Sequence, residues 1–228
     1  MLILHIETST NVCSIALSEN GTCLFSKSNA DGMNHAALLS VFIAEAMELL
    51  KTTSKKLDAV AVSSGPGSYT GLRIGASTAK GLCFGLDIPL IAVSTLKVLT
   101  TQALSAVDHT ENVLFCPMID ARRMEVYAAF YNAKGEIQRE IAADIINAGS
   151  YAEILDKHVV YFFGNGAEKC KTTLTHPNAR FIEYLVPLAE NMIPLAEKAY
   201  TEKHFEDVAY FEPFYLKEFY TTATKLKE

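Results

Sequence analysis

Residues 63–85 read SSGPGSYTGLRIGASTAKGLCFG, and they are the most informative part of the chain. The apolar run Leu57–Val62 leads directly into it, an order that predicts a buried strand, a tight glycine turn and a helix over 70–86. A glycine inside a helix costs roughly 1 kcal/mol relative to alanine. Gly71, Gly75 and Gly81 therefore indicate that something approaches this backbone closely, either a ligand, a neighbouring helix or both.

The glycine turn matches neither common phosphate-binding pattern. Leu72-Arg73 stands where a P-loop has Gly-Lys-Ser/Thr, and the spacing G-x-G-x-x-x-G is one residue too long for a dinucleotide fingerprint. A turn that opens a helix still offers free N–H groups and a positive dipole end to an anion. The alternative is that Gly71, Gly75 and Ala79 let another helix pack closely.

Outward from this stretch, the pattern predicts β-β-β-α-β-α-β-α in the first half and a similar β-β-β-α-β-α start in the second. The predicted first-half elements are strands at Leu2–Ile6, Cys13–Leu17, Thr22–Ser26, Leu57–Val62 and Pro89–Val93, and helices at His35–Lys51, Thr70–Leu86 and Thr95–Val107. The predicted second-half elements are strands at Val113–Ile119, Glu125–Tyr131, Ile137–Ile141 and Val159–Phe163, and helices at Ser150–Lys157, Ala167–Leu174 and Leu188–Lys203, the last interrupted near Pro194. The repeated three-strand opening indicates a duplication, with lobes at 1–108 and 109–228 joined by a polar link, and with a C-terminal segment that can return to the first lobe.

The predicted helix His35–Lys51 is apolar on more sides than one sheet can cover. Leu39, Ile43 and Met47 line one stripe and Leu38 and Phe42 line the next. One apolar stripe suffices for a helix lying on its own sheet. The helix is therefore either a central core helix or a partner-binding helix with a wide exposed apolar surface.

Composition limits the classes of function. The chain has 228 residues and a formal net charge of −6, which argues against strong unaided binding to nucleic acid. Five scattered cysteines without a C-x-x-C pair argue against a disulfide framework and favour a reducing cytoplasm. The opening reads as a strand rather than a signal peptide, and no apolar run reaches the ~18 residues of a membrane span.

Two polar turns could face a nucleotide. Glu7-Thr8-Ser9 follows the first strand, where hydroxyls and amides can contact phosphate and a carboxylate can hold a hydrated cation. Gly164-Asn165-Gly166 follows a later strand in the same way. Either segment could equally be an ordinary turn.

The densest polar cluster comprises Asp120, Arg122, Arg123 and Glu125. Arginines on a strand turn can hold phosphate or a partner's carboxylate, and structural ion pairing is the alternative. No two of the six histidines lie at i, i+3 or i, i+4, and no G-x-S-x-G elbow exists, so the sequence indicates neither a metal site nor a catalytic residue.

Several segments together resemble one family. They are Ile6-Glu7-Thr8-Ser9, the run from Ser64 to Gly75 with Ala79-Lys80-Gly81-Leu82, Ile119–Arg123 with Glu125-Val126-Tyr127, Gly164-Asn165-Gly166, and Pro213, Tyr215 and Leu216 near the end. The chain resembles the TsaB (formerly YeaZ) family of tRNA threonylcarbamoyladenosine synthesis. Glu7 and Lys217 are departures, because the family more often has Asp and Arg there.

The resemblance implies a fold and a set of partners. The fold is the two-lobed α/β fold called ASKHA, that of actin-like ATPases, sugar kinases and Hsp70, with duplicated β-β-β-α-β-α units. The partners are a TsaD-type catalytic subunit, which transfers threonylcarbamoyl to N6 of the adenosine beside the anticodon, and a TsaE-type ATPase. Contact with tRNA is expected only through the complex, and a homodimer is expected when the chain is alone.

The first hypothesis from this resemblance is a non-catalytic scaffold or activator subunit. Its first helix and its glycine helix would pack against matching helices of the partner. The candidate interface residues are His35, Leu39, Ile43, Met47, Leu72, Gly75, Ala76 and Ala79. The expected cofactor is none of its own, with ATP or ADP and Mg²⁺ as candidates at the complex interface.

Two enzymatic hypotheses stand beside it. An actin-like ATPase or small-molecule kinase would bind a nucleotide through candidates at Glu7, Ser9, Gly65, Gly67, Gly164 and Gly166. A glycoprotease-like metallopeptidase would need the H-x-x-x-H ligands of the catalytic paralogue. Thr95 and Leu99 stand at the corresponding positions here, and they could not hold a metal.

Overall fold

A computed structural model describes residues 1–32, 34–108 and 112–217. The first half contains β1 Leu2–Glu7, β2 Cys13–Glu19, β3 Thr22–Asn29, α1 His35–Thr53, β4 Ala59–Gly65, α2 Tyr69–Leu86, β5 Leu90–Ser94 and α3 Thr95–Ala106. The second half contains β6 Val113–Asp120, β7 Glu125–Asn132, β8 Ile137–Ile145, α4 Ala152–Leu155, β9 Val159–Phe163, β10 Ala179–Phe181 and α5 Ile193–Thr201. Short 3₁₀ turns cover Glu168–Cys170 and Ala189–Met192.

The two halves form two five-stranded sheets with the same topology. The first sheet has the order β3-β2-β1-β4-β5, and the second has the order β8-β7-β6-β9-β10. In both sheets an antiparallel three-strand meander is extended by parallel strands, with β1 pairing β4 and β6 pairing β9. The equivalence of the two strand orders supports the predicted duplication, and it produces the two lobes of the ASKHA architecture.

The central strand of the first sheet is covered on both faces, which is why all six residues of β1 are buried. Leu2, Leu4 and Ile6 face α1 and α2, whereas Ile3 faces a cluster that includes Met192 and Ala196. The first lobe is therefore a three-layer structure. Its second helical layer comes from the far end of the chain.

The lobes share their helices. From α3, Leu96, Leu99 and Ala103 pack against the second sheet, whereas Val98 packs against the first. The helix α5 follows β10 yet lies on the first sheet, in contact with β1 and β5. The chain therefore crosses between lobes twice, once after α3 and once after β10.

The predicted helices of the second half are too long. Only one 3₁₀ turn, Glu168–Cys170, forms within Ala167–Leu174, where Thr173 and Leu174 close a turn back on the carbonyl of Cys170. Pro194 does not interrupt a helix but occupies the first turn of α5, where its missing N–H is not needed. The predicted apolar end, 209–220, lies partly outside the described residues.

In the described part of the chain, α1 and α2 have the length of a membrane span, but neither they nor the other helices are apolar enough to be one.

Candidate functional site

A cleft of about 1480 Å³ separates the two lobes. Loops from both halves of the chain line it: the β1–β2 loop and the start of α2 on one side, the β6–β7 turn on the other, and the C-terminal segment along the edge. The lining includes Ser9, Gly67, Tyr69, Asp120, Arg122, Arg123, Asn165 and Lys217. The duplicated topology places the carboxyl ends of β1 and β6 opposite each other here.

The β1–β2 loop is locked against the start of α2. The hydroxyl of Thr8 donates a hydrogen bond to the carbonyl of Gly71 at 2.8 Å, and the N–H of Ser68 donates to the carbonyl of Ser9 at 2.6 Å. Ser68 also caps the helix, since its side chain accepts the N–H of Gly71. One side of the cleft is thus a rigid pair of turns.

This contact explains the first glycines of the helix. A Cβ on Gly67 would collide with Ser9, and a Cβ on Gly71 or Gly75 would collide with Thr8. The backbone that approaches α2 at these positions therefore belongs to the chain's own β1–β2 loop. The expectation that Gly71, Gly75 and Ala79 accommodate another helix is wrong for Gly71 and Gly75.

Glu7 lies beneath the cleft and not in it. Its side chain is completely buried, and one carboxylate oxygen accepts the N–H of Ser9 at 2.6 Å. Burial raises the pKa of Glu7 above its ordinary value of 4.5, against the opposing effect of hydrogen bonds from Ser9, Ser63 and Thr8. The residues that line the cleft include Ser9 and Gly67 but not Glu7.

The other glycine candidates have packing reasons that need no nucleotide. Gly65 has φ of +106°, and a Cβ there would lie 2.8 Å from the carbonyl oxygen of Phe214. Cβ atoms on Gly164 and Gly166 would press against the backbone of β6 at Met118 and Ile119. The side chain at the cleft is that of Asn165, whose carbonyl oxygen accepts the N–H of Asp120 at 3.0 Å.

The acidic members of the polar cluster pair with lysines from elsewhere in the sequence. The carboxylate of Asp120 forms an ion pair with Lys169, whose ammonium also donates to the backbone carbonyl of Glu125 at 2.6 Å. The carboxylate of Glu125 pairs with Lys217 at 2.6 Å. Lys169 lies 44 residues beyond Glu125 and was not predicted, because the sequence gives no signal for so distant a contact.

The two arginines remain without an ion pair among the described residues. Arg122 and Arg123 are exposed on the β6–β7 turn and line the cleft. Both adopt left-handed backbone conformations, with φ of 70° and 47°. Such conformations cost non-glycine residues roughly 1 kcal/mol or more each, and here the turn holds two cations at the mouth of the cleft.

The predicted partner-interface residues lie in the chain's own core. Because their side chains are buried within this chain, they do not form an exposed docking surface; His35 lies at the wall of the cleft, with its Nε2 3.3 Å from the carbonyl oxygen of Val12. The residues concerned are His35, Leu39 and Ile43 on α1 and Leu72, Gly75, Ala76 and Ala79 on α2, all buried, with Met47 half-buried against the same core.

The opposite sides of the same two helices form a different surface, which we call the outer helix face. It comprises the exposed residues Ala37, Val41 and Ala44 on α1 and Ser77, Gly81 and Phe84 on α2, spaced i, i+4, i+7 on each helix. Val41 is 50% exposed and Phe84 is 86% exposed. The exposed charged residues Glu48 on α1 and Arg73 on α2 continue these stripes at a spacing of four residues. Lys80 beside the face donates to the carbonyls of Ala209 and Phe211.

No group of three or more His, Cys, Asp and Glu side chains within 1–32, 34–108 and 112–217 could hold a metal ion. Thr95 and Leu99, at the paralogue's ligand positions, are completely buried. Leu99 packs between α3 and the second sheet. Leu99 therefore serves the contact between the lobes.

Comparison with known proteins places this geometry in a family. The family model described as TsaD, tRNA N6-adenosine threonylcarbamoyltransferase, matches residues 31–221. The tRNA threonylcarbamoyladenosine biosynthesis protein TsaB of Escherichia coli is 30% identical over 223 residues, covering 95% of each chain. TsaB of Haemophilus influenzae is 29% identical over 231 residues, covering 95% of this chain and 94% of the relative.

A solved structure agrees with the fold. YeaZ from Pseudomonas aeruginosa superimposes with a TM-score of 0.77 at 28% identity, covering 94% of this chain and 99% of that one. The predicted ASKHA fold and the predicted family are both confirmed. On sequence and architecture together, the chain belongs to the TsaB (YeaZ) family.

Proposed function

We propose that this chain takes part in tRNA threonylcarbamoyladenosine biosynthesis as a non-catalytic scaffold or activator subunit. Its relatives are named as proteins of tRNA threonylcarbamoyladenosine biosynthesis. The family model that it matches is described as tRNA N6-adenosine threonylcarbamoyltransferase. The proposed partner is a TsaD-type catalytic subunit, with a TsaE-type ATPase joining the complex. Contact with tRNA would be made through the complex, in keeping with the net charge of −6.

The observation that carries the docking part of this proposal is the outer helix face. A contiguous stretch of exposed apolar and small residues that includes Phe84, 86% exposed, and Val41, 50% exposed, is typical of a protein interaction site. Gly81 supports the same interpretation, because a Cβ there would meet no atom of this chain within 4 Å. A helix-interior glycine without an internal packing reason suits close approach by a partner helix.

The same face would pair two copies when the catalytic subunit is absent, which gives the proposed homodimer. All five cysteines are free thiols, and a reducing cytoplasm is the proposed compartment. The unpaired Arg122 and Arg123 suit an anion at the mouth of the cleft. ATP or ADP with Mg²⁺ at the complex interface is therefore part of the proposal.

The docking surface is tested by measuring the affinity of this chain for its organism's TsaD-type subunit. Val41→Glu places a charge on the outer helix face, and Gly81→Leu blocks close approach to α2. Each should weaken binding at least tenfold without lowering the melting temperature. Ile137→Glu is the matched control, since Ile137 is 41% exposed on β8 of the second lobe and should bind like the parent.

Unchanged affinity for both outer-face variants would overturn the docking surface. Size-exclusion chromatography of the isolated chain gives a second readout. The parent should elute as a dimer and Val41→Glu as a monomer, if the homodimer uses this face.

The cleft and its two unpaired arginines favour one alternative, an actin-like ATPase or small-molecule kinase. The side chains beside the cleft do not single out a general base, since Glu7 is buried beneath it and Asp120 and Glu125 are paired with lysines. ATP turnover by the isolated chain that is lost in Arg122→Ala would favour the enzyme. Absence of turnover in the parent would leave the scaffold role.

A further inference from the structure

The C-terminal segment 206–217 runs along the first lobe before it reaches the cleft. The N–H of Glu206 donates to the carbonyl of Leu90 at 2.9 Å, which attaches the segment to the edge strand β5. Phe211 is buried in the core beneath α1 and α2. Lys80 of α2 donates to the carbonyls of Ala209 and Phe211 at 3.1 Å. This part of the segment is thus fixed to the first lobe.

The next residues are seated at the start of α2. The N–H of Phe214 donates to the carbonyl of Ser64 at 2.7 Å, and its carbonyl occupies the space that a Cβ on Gly65 would fill. The ring of Tyr215 packs on that of Tyr69 with centroids 4.8 Å apart. Gly65 therefore makes room for the C-terminal segment.

Two residues further on, the segment reaches the other lobe. Lys217 forms an ion pair with Glu125 at the start of β7, with its Nζ 2.6 Å from both carboxylate oxygens. Phe214, Tyr215, Leu216 and Lys217 all line the cleft. Among the described residues of the C-terminal segment, Lys217 makes the polar contacts with the second lobe.

The geometry points to a latch: residues 206–217 are a strap fixed to the first lobe, and the Lys217–Glu125 ion pair holds the second lobe at its present distance across the cleft. When the ion pair breaks, the lobes can move apart, with the two segments that connect them acting as hinges. The cleft then becomes more accessible at the β6–β7 turn that carries Arg122. This inference concerns the isolated chain and does not depend on the proposed partner.

The strength of the pair suits a device that opens and closes. The Lys217 side chain is 51% exposed and that of Glu125 is 17% exposed, so water and salt compete for the contact. Exposed ion pairs are weak, so loss of this pair should change the ratio of open to closed molecules by about two- to fivefold. Raising the ionic strength should shift the ratio in the same direction.

The test measures the distance between the lobes by pulsed electron paramagnetic resonance on the full chain. One spin label goes on the exposed native thiol of Cys23 in β3, and the other on Ile137→Cys in β8, since the remaining four cysteines are buried. Lys217→Met is compared with the parent. Lys171→Met is the control, because it breaks ion pairs with Glu168 and Glu183 inside the second lobe only.

If the ion pair is a latch, Lys217→Met and Glu125→Gln should each raise the fraction of molecules with the longer distance between the lobes about two- to fivefold. The double variant should show no further increase. Exchanging the two charges, with Glu125→Lys and Lys217→Glu together, should restore the distance distribution of the parent. The Lys171→Met control should match the parent. Identical distance distributions for the parent, Lys217→Met and Glu125→Gln would overturn the latch.

Discussion

The glycines of residues 63–85 differ in what stands beside them. Gly71 lies against Thr8, so the chain's own packing leaves no room for a Cβ there. A Cβ on Gly81 would face open space. From the sequence these two positions look alike, since both are glycines inside one helix. Only the path of the β1–β2 loop separates a structural glycine from one available to a partner.

Alanine at these two positions should have opposite effects on stability. Gly71→Ala forces a Cβ into the backbone of Thr8 and should lower the free energy of unfolding by about 1–3 kcal/mol. Gly81→Ala relieves the helix of a glycine and should raise it by about 0.5–1 kcal/mol. Urea denaturation of both variants checks this, and equal changes of the same sign would contradict the assignment.

His5 makes the fold sensitive to acid. It is completely buried on β1, its Nε2 lies 2.8 Å from the hydroxyl of Ser18, and burial lowers its pKa from 6.5 to about 3. Between these values the unfolded chain binds a proton that the folded chain does not, so stability is lost as pH falls below about 6.5.

His5→Gln should therefore flatten the pH dependence of the unfolding free energy between pH 6.5 and 3, by up to about 1.4 kcal/mol per pH unit. The same slope in parent and His5→Gln would rule out this origin.

The ionisation of Glu7 changes the stability of the fold with pH in the opposite direction. Because its pKa is raised in the folded state, the folded chain holds a proton that the unfolded chain has lost above pH 4.5, and stability falls as pH rises through the folded value. The free energy of unfolding of Glu7→Gln, relative to that of the parent, should therefore increase as pH increases. A constant difference from pH 5 to 9 would argue against it.

At the scale of elements, α1 carries two apolar surfaces with different tasks. Ile43 is 7% exposed and packs on the first sheet, whereas Val41, two residues earlier, is 50% exposed. The sequence predicted the broad apolar character correctly but assigned the sheet-facing stripe to the partner. Periodicity identifies stripes and does not say which of them the chain's own sheet will cover.

Glutamate substitutions should separate these surfaces. Ile43→Glu buries an unpaired carboxylate and should destabilise the fold by more than about 3 kcal/mol. Val41→Glu should change the free energy of unfolding by less than about 0.5 kcal/mol. Thermal denaturation of the two variants decides the matter, and a folded, stable Ile43→Glu would show that the burial of this stripe is misassigned.

The other elements were predicted to different depths. Strands β1–β5 and helices α1–α3 were predicted within a few residues, because apolar runs bounded by polar or glycine turns mark their limits. The three-residue strand β10, Ala179–Phe181, is too short for any periodicity, and the helix predicted at Ala167–Leu174 forms only one turn. In the candidate site, the lysines that neutralise Asp120 and Glu125 depend on tertiary contacts that spacing does not encode.

At the scale of the molecule, two equivalent sheets face each other across one cleft, joined by α3 and closed at the edge by the C-terminal segment. The resemblance implied two lobes of duplicated β-β-β-α-β-α units, whereas the strand order within each sheet and the contacts of α5 with the first sheet required the structure. The cleft lies between the two lobes, and the carboxylates of Asp120 and Glu125 that line it are paired with lysines. Under the proposed function, the outer helix face is the surface to which another protein would bind.

The proposed role of this chain is to support a sister subunit. It is tested most directly by threonylcarbamoyl transfer to tRNA in a reconstituted mixture of this chain, the TsaD-type subunit and the TsaE-type ATPase, with each component omitted in turn. Omission of this chain should abolish transfer, and this chain alone with tRNA and threonylcarbamoyl-adenylate should give none. Transfer by this chain alone, or full transfer without it, would contradict the account.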